Sequence, residues 1–161
     1  MQVAGVEAGI VSIGGNIQTF GDKPDGSDWI ITIQNPQNIS DYICKLNLST
    51  GCAVVTSGGY QRFFTDDDGN TWTHLIDPKD GYPAESGLLS ATVVCDDGIY
   101  ADALSTALCV MGEDDAVDLY EESSDFEMLL VTNDGRILVS EGLNNAFERS
   151  NDDFEVEYVR K

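Results

Sequence analysis

Ala101-Asp102-Ala103-Leu104-Ser105-Thr106-Ala107-Leu108-Cys109-Val110-Met111, closed by Gly112, carries alanine and leucine at helical spacing and stops on a glycine suited to a helix C-terminus. It predicts a helix over residues 101–111 in a chain that otherwise reads mostly as short strands and turns. Upstream, residues 89–95 form a β-branched run, and 51–56, 42–48 and 29–33 also read as strands, the last ended by Asn35-Pro36. Pro24-Asp25-Gly26 is a turn signal. Asp68-Gly69, between 62–65 and 71–76, and Asn133-Asp134-Gly135, between 128–132 and 136–140, predict two hairpins. Residues 3–13 read as the end of a helix passing into a buried strand over 9–13, which Gly14-Gly15-Asn16 breaks and 17–20 continue. Two adjacent glycines suit either a close approach by backbone or ligand or a β-bulge. Downstream, 116–123 reads as a short acidic helix and 154–159 as an edge strand. The sum is a single α+β domain, dominated by an antiparallel or mixed sheet with a few packed helices.

The chain has 161 residues, 42% of them hydrophobic, enough for one well-buried core. Its 29 acidic and 8 basic residues give a formal charge of −21. Such a field repels phosphate backbones and anionic lipid, so neither nucleic acid nor direct membrane contact is expected of this segment. Cys44, Cys52, Cys95 and Cys109 sit mostly among apolar neighbours with no Cys-x-x-Cys pair, which predicts buried free thiols rather than a zinc site. No apolar run approaches the roughly 20 residues of a membrane span. The start Met1-Gln2-Val3-Ala4-Gly5-Val6 is core-like, and the expectation is a piece of a longer parent protein.

Chemistry concentrates in two places. Thr73-His74-Leu75-Ile76-Asp77-Pro78-Lys79-Asp80-Gly81-Tyr82-Pro83 holds the only histidine. Pro78 and Pro83 fix φ and Gly81 accepts φ > 0, so a rigid loop presents an imidazole and a carboxylate. It reads either as an exposed surface connection or as an active-site wall. On the helix, Asp102 and Thr106 lie four apart on one face with Ser105 beside them. A carboxylate and a hydroxyl are hard oxygen ligands of the kind Mg²⁺ takes with water and phosphate. The same residues also suit a dipole partner and a hydroxyl bonded back to the helix. Thr65-Asp66-Asp67-Asp68-Gly69-Asn70-Thr71-Trp72 fits an Asp-box hairpin, but it occurs once and its physical content is a tight turn with a packed tryptophan.

Four blocks stand in a fixed order: Val11-Ser12-Ile13-Gly14-Gly15-Asn16; Val55-Thr56-Ser57-Gly58-Gly59-Tyr60-Gln61-Arg62-Phe63; Thr73-His74-Leu75-Ile76-Asp77-Pro78 with Gly81-Tyr82-Pro83; and Ala101-Asp102-Ala103-Leu104-Ser105-Thr106-Ala107-Leu108. Together, from about Ala4 to Phe147, they resemble the C-terminal half of the ApbE family, the FAD:protein FMN transferases. The resemblance implies a T-fold-like single domain over residues 1–161, with the family's N-terminal half absent and the activity of this portion reduced or lost. It implies FAD as substrate, Mg²⁺ as metal, and transfer of FMN to a threonine of an acceptor flavoprotein subunit with release of AMP. The alternative is an FAD-binding or FAD-pyrophosphatase module for flavin trafficking, without protein transfer. Carried over by position, Asp102 and Thr106 match metal ligands, and Ser105 stands where some members have another acidic ligand. Thr56, Ser57, Gly58, Ile76 and Asp77 match cofactor-lining segments, and His74 matches a base or phosphate-contacting group. The resemblance also implies an exported, lipid-anchored parent (a lipoprotein). Two departures stand out: Asn16 where Asp is usual, and Asp80 where Thr is usual.

Overall fold

The computed structural model describes residues 5–161. In chain order, β1 (Gly9–Ile13) and β2 (Asn16–Phe20) form one hairpin, and β3 (Trp29–Asn35) and β4 (Asn38–Leu48) a second. After β5 (Ala53–Gly58), the ribbon of β6 (Phe63–Thr65) and β7 (Thr71–Thr73) precedes β8 (Leu88–Cys95). The helices α1 (Gly98–Met111) and α2 (Glu113–Glu122) follow, then the hairpin of β9 (Glu127–Thr132) and β10 (Arg136–Ser140). The short strands β11 (Phe147–Arg149) and β12 (Glu155–Val159) complete the elements.

Seven strands make one sheet in the order β1-β2-β5-β8-β9-β10-β12, antiparallel at every pairing except β10 with β12. The expected α+β fold with a mainly antiparallel sheet is what the chain forms. Its central strands read as continuous apolar runs because both faces are covered. Ala53, Val55, Ala91, Val93, Met128, Leu130 and Leu138 face α1 and α2, where Leu104, Leu108, Ala116 and Tyr120 meet them. Val54, Val94, Leu129, Val131, Ile137 and Val139 face the other way, against Ile31, Ile33, Ile43, Leu46 and Leu48 of a second sheet ordered β11-β4-β3. Two dry cores share one sheet, and each fully buried Leu or Ile contributes roughly 1.5–3 kcal/mol.

The structure corrects several expectations. Gly14 and Gly15 have φ 58° and 89°, and Ile13 pairs with Asn16, so the chain reverses in a two-residue turn instead of continuing through a bulge. Two consecutive left-handed residues match the twist of a tight hairpin, and glycine adopts them without strain. Strand β1 is an exposed edge and not a buried strand, with Ile13 73% accessible. Residues 5–8 form no helix; residues 3 and 4 of that expectation lie outside the described residues. Both helices begin three residues earlier than predicted. The Asp97 carboxylate caps α1 by accepting the N–H groups of Ile99 and Tyr100 at 2.8 and 3.3 Å, and α2 starts directly on Gly112, with Glu113, Asp114 and Asp115 against its positive end. Strand character stops at Thr73, so residues 74–76 belong to the loop. All four cysteines are free; Cys44 and Cys109 are buried, which pushes their thiols up to about 12 and about 11, whereas Cys52 and Cys95 are half-buried. Among the described residues no helix is long and apolar enough to cross a membrane.

Candidate active site

The end of β5 is where the helical layer and the loop after β7 meet. Thr56 and Ser57 are neighbours on a strand, so their side chains diverge. The Thr56 hydroxyl bonds that of Thr92 at 2.9 Å on β8, and its backbone N–H donates to the Gly15 carbonyl at 3.3 Å, tying the glycine turn to β5. The Ser57 hydroxyl reaches α1 instead, 2.9 Å from both Ser105 Oγ and Thr106 Oγ1. Ser105 and Thr106 each also donate to the Asp102 carbonyl, at 3.2 and 3.3 Å. Three hydroxyls thus close one cluster over the middle of α1. Ser105 is fully buried within it; Thr106 is half-exposed.

Gly58 and Gly59 let this strand end approach the next block. A Cβ on Gly58 would lie 2.8 Å from the Leu89 carbonyl, and one on Gly59 would lie 2.7 Å from Thr73 Oγ1. Only glycine permits that spacing, and it brings Thr73, hence His74, alongside. The His74 N–H donates to the Arg62 carbonyl at 3.2 Å, and ring atom Nδ1 lies 3.0 Å from the same oxygen. A carbonyl only accepts, so Nδ1 carries the proton and, in the neutral ring, Nε2 keeps a free lone pair. The loop beyond is held by its own turns. Asp77 N–H donates to Tyr82 O, Gly81 N–H to Asp77 O, and Lys79 N–H to the Asp77 carboxylate, each at 2.8 Å. Asp80 accepts the Tyr82 N–H at 2.8 Å, so this departure from the family pattern serves the turn itself.

A cleft of about 320 Å³ gathers Thr56, Ser57, Gly58, His74 and Thr106 around the Gly14-Gly15 turn. Thr106 also lines an adjoining apolar groove between Ile76, Asp77 and Pro78 on one side and Ala103, Ala107, Val110 and Met111 on the other. Asp102 faces a third depression with Val11, Ile13, Asn16 and Gln18, joined to the first at Gly14. The fold therefore brings eight of the nine expected site residues to three contiguous depressions and places Ser105 behind them. The helical wall of the groove was not anticipated, although Ala103, Ala107 and Val110 recur at helical spacing on one side of Thr106.

Asn16, the other departure, has a definite use. Its amide donates to the Gly98 carbonyl at 2.9 Å, which a carboxylate could not do, and so pins β2 to the first turn of α1, one turn before Asp102. Gln18 packs so tightly there that a Cβ on Gly98 would lie 2.1 Å from its amide nitrogen. The donor set suits Mg²⁺ in its usual mode. Asp102 and Thr106 offer hard oxygens on one helix face, and no group of three or more His, Cys, Asp or Glu forms a closed cage among the described residues. Such a set leaves coordination positions for water and phosphate.

Comparison with known proteins gives one consistent result. The model of the ApbE family matches residues 1–130. The crystal structure of the ApbE protein from Thermotoga maritima superposes with a TM-score of 0.77 at 38% identity, covering 89% of this chain and 45% of that one. The flavinyl transferase ApbE of Pseudomonas stutzeri, in its apo form, gives 0.73 at 31% identity over 93% and 46%. The FAD:protein FMN transferase of Vibrio cholerae is 34% identical over 136 residues, 84% of this chain and 40% of that protein. The chain spans less than half the length of these relatives.

Proposed function

Because the chain belongs to the ApbE family, we propose that it carries the catalytic half of a Mg²⁺-dependent transfer of FMN from FAD to a threonine of an acceptor protein. The observation that carries this reading is His74, its Nδ1 held by the Arg62 carbonyl, in the same cleft as Ser57 and Thr106. The acceptor threonine oxygen attacks the FMN-side phosphorus of FAD, a P–O bond to it forms, and the bridging P–O bond breaks as AMP leaves. His74 Nε2 takes the hydroxyl proton, a task suited to an imidazole near neutral pH. Asp102 and Thr106 would hold the metal, with Ser57, itself bonded to Ser105, fixing the Thr106 hydroxyl from behind. A divalent cation there supplies neutralisation at the pyrophosphate, which phosphoryl transfer requires more than covalent help from the protein. Thr56, Gly58, Ile76 and Asp77 line the space for FAD.

The test is an FAD titration by flavin fluorescence with Mg²⁺ and then EDTA, followed by AMP release in the presence of an acceptor protein. Metal-dependent binding and AMP release are expected of a parent longer than this chain, and weak or no transfer of residues 1–161 alone. Undiminished transfer by His74→Ala at saturating FAD would sink the assignment of the base. A second reading, FAD binding or hydrolysis without protein transfer, draws on Asn16 and Ser105 standing where the family has acids; AMP released without a modified acceptor favours it. For the parent we propose an extracytoplasmic, lipid-anchored location, checked by cell fractionation.

A further inference from the structure

We propose that Arg62 and Lys79 form a two-sided cationic clamp for the pyrophosphate of a dinucleotide, one on each side of Thr106; this deepens the flavin-transfer reading and rests on it. Charge accounting singles the two residues out. Acids outnumber bases 29 to 8, yet only three of the eight cations make an ion pair among the described residues. Among the described residues, Lys45 pairs with Glu148, Arg136 with Glu113, Asp134 and Glu157, and Arg149 with Asp152. Lys23 and Lys161 lie over the rings of Trp29 and Tyr120, at 5.2 and 4.5 Å. Arg62, Lys79 and Arg160 remain, and none has an ion pair among the described residues. Arg160 stands next to the last residue. The other two line the two depressions that meet at Thr106: Arg62 the polar cleft with His74, Lys79 the apolar groove along α1.

Their backbones are well fixed. The Arg62 carbonyl holds both the N–H and Nδ1 of His74, and the Lys79 N–H is bonded to the Asp77 carboxylate. A guanidinium offers phosphate two parallel N–H donors, and an ammonium offers a mobile point charge, so the pair combines orientation with neutralisation. In a chain of −21, a dianionic bridge meets a repulsive field that only local cations and metal can offset. The groove beyond Lys79, walled by Ile76, Ala107, Val110 and Met111, gives a flat ring an apolar seat next to the clamped phosphates.

The test titrates the 161-residue chain with FAD, ADP and riboflavin at several salt concentrations with Mg²⁺ present. Arg62→Gln and Lys79→Gln should each weaken FAD and ADP about tenfold or more and flatten the salt dependence, with riboflavin, which lacks phosphate, unchanged. Arg160→Gln makes the same charge change away from the clefts and should alter none of the three. Loss of riboflavin binding in step with FAD, an equal effect of Arg160→Gln, or no effect of the two glutamines overturns the clamp. A wild-type chain that binds FAD and ADP in a parent that transfers no FMN removes the flavin-transfer reading and leaves the clamp to these titrations; a 161-residue chain that binds neither FAD nor ADP overturns the clamp, while the flavin-transfer reading stands or falls on AMP release by the parent.

Discussion

Asp66 sits in a hairpin turn and Asp102 on helix α1, and the fold uses the two aspartates in opposite ways. Asp66 spends its carboxylate on its own hairpin, accepting Trp72 Nε1–H and Asn70 N–H at 2.8 Å, Asn70 Nδ2–H at 3.0 Å and Asp68 N–H at 3.1 Å. Those donors, Trp72 first, hold its carboxyl down at about 2. Asp102 contributes only its backbone carbonyl to the local network, and its carboxylate accepts no hydrogen bond among the described residues while facing a cleft. A carboxylate saturated by its own turn has no lone pairs to offer a ligand. One held on a rigid helix, exposed and not bonded by the protein, does.

The largest effect should come from Asp102→Asn. Mg²⁺ affinity in the presence of FAD is expected to fall by roughly 100-fold or more, since even outer-shell partners of metal ligands are worth about 10–100-fold. Its melting temperature should stay near that of the wild type; a large drop would mean that Asp102 is structural after all. Next, Ser57→Ala removes two hydroxyl contacts and should cost about 1–2 kcal/mol in urea unfolding, with looser metal binding through Thr106. Asn16→Asp loses the donor to Gly98, for about 1 kcal/mol of stability by the same measurement.

The smallest effect is confined to the β6–β7 ribbon. The folded-state value of Asp66 lies below its ordinary 3.8, so its contribution is fully present above pH about 4 and is lost as pH falls through about 2. Trp72 fluorescence should therefore shift over that acid window, and Asp66→Asn should remove the shift without changing FAD binding. Loss of FAD binding in that variant would erase the distinction between the two aspartates.

Particular residues show how much could be read in advance. Asp68-Gly69 and Asn133-Asp134-Gly135 announced their hairpins because Gly69 and Gly135 take φ of 88° and 93°, which few other residues tolerate. Gly112 marked the end of α1 for the same reason. Gly14-Gly15 was ambiguous, since a bulge and a tight turn ask for the same residues and only the pairing of Ile13 with Asn16 decides between them. The second sheet was not legible as a layer. β11 is three residues long, Phe147–Arg149, and pairs with β4 about a hundred positions away. The site residues were named by resemblance, and the groove wall of Ala103, Ala107 and Val110 was passed over because small apolar residues on a helix look the same whether they meet a core or a ligand.

By itself, then, the sequence determined the elements whose cause is local: strands written in apolar runs, turns that need glycine, a helix that ends at Gly112, and a net charge of −21. Tertiary structure alone decided which strands became neighbours and which side chains met across them. Ser57 lies 48 positions from Ser105, yet their hydroxyls sit 2.9 Å apart. No local preference encodes that distance; it follows from burying both faces of one sheet at once, which is a property of the whole chain.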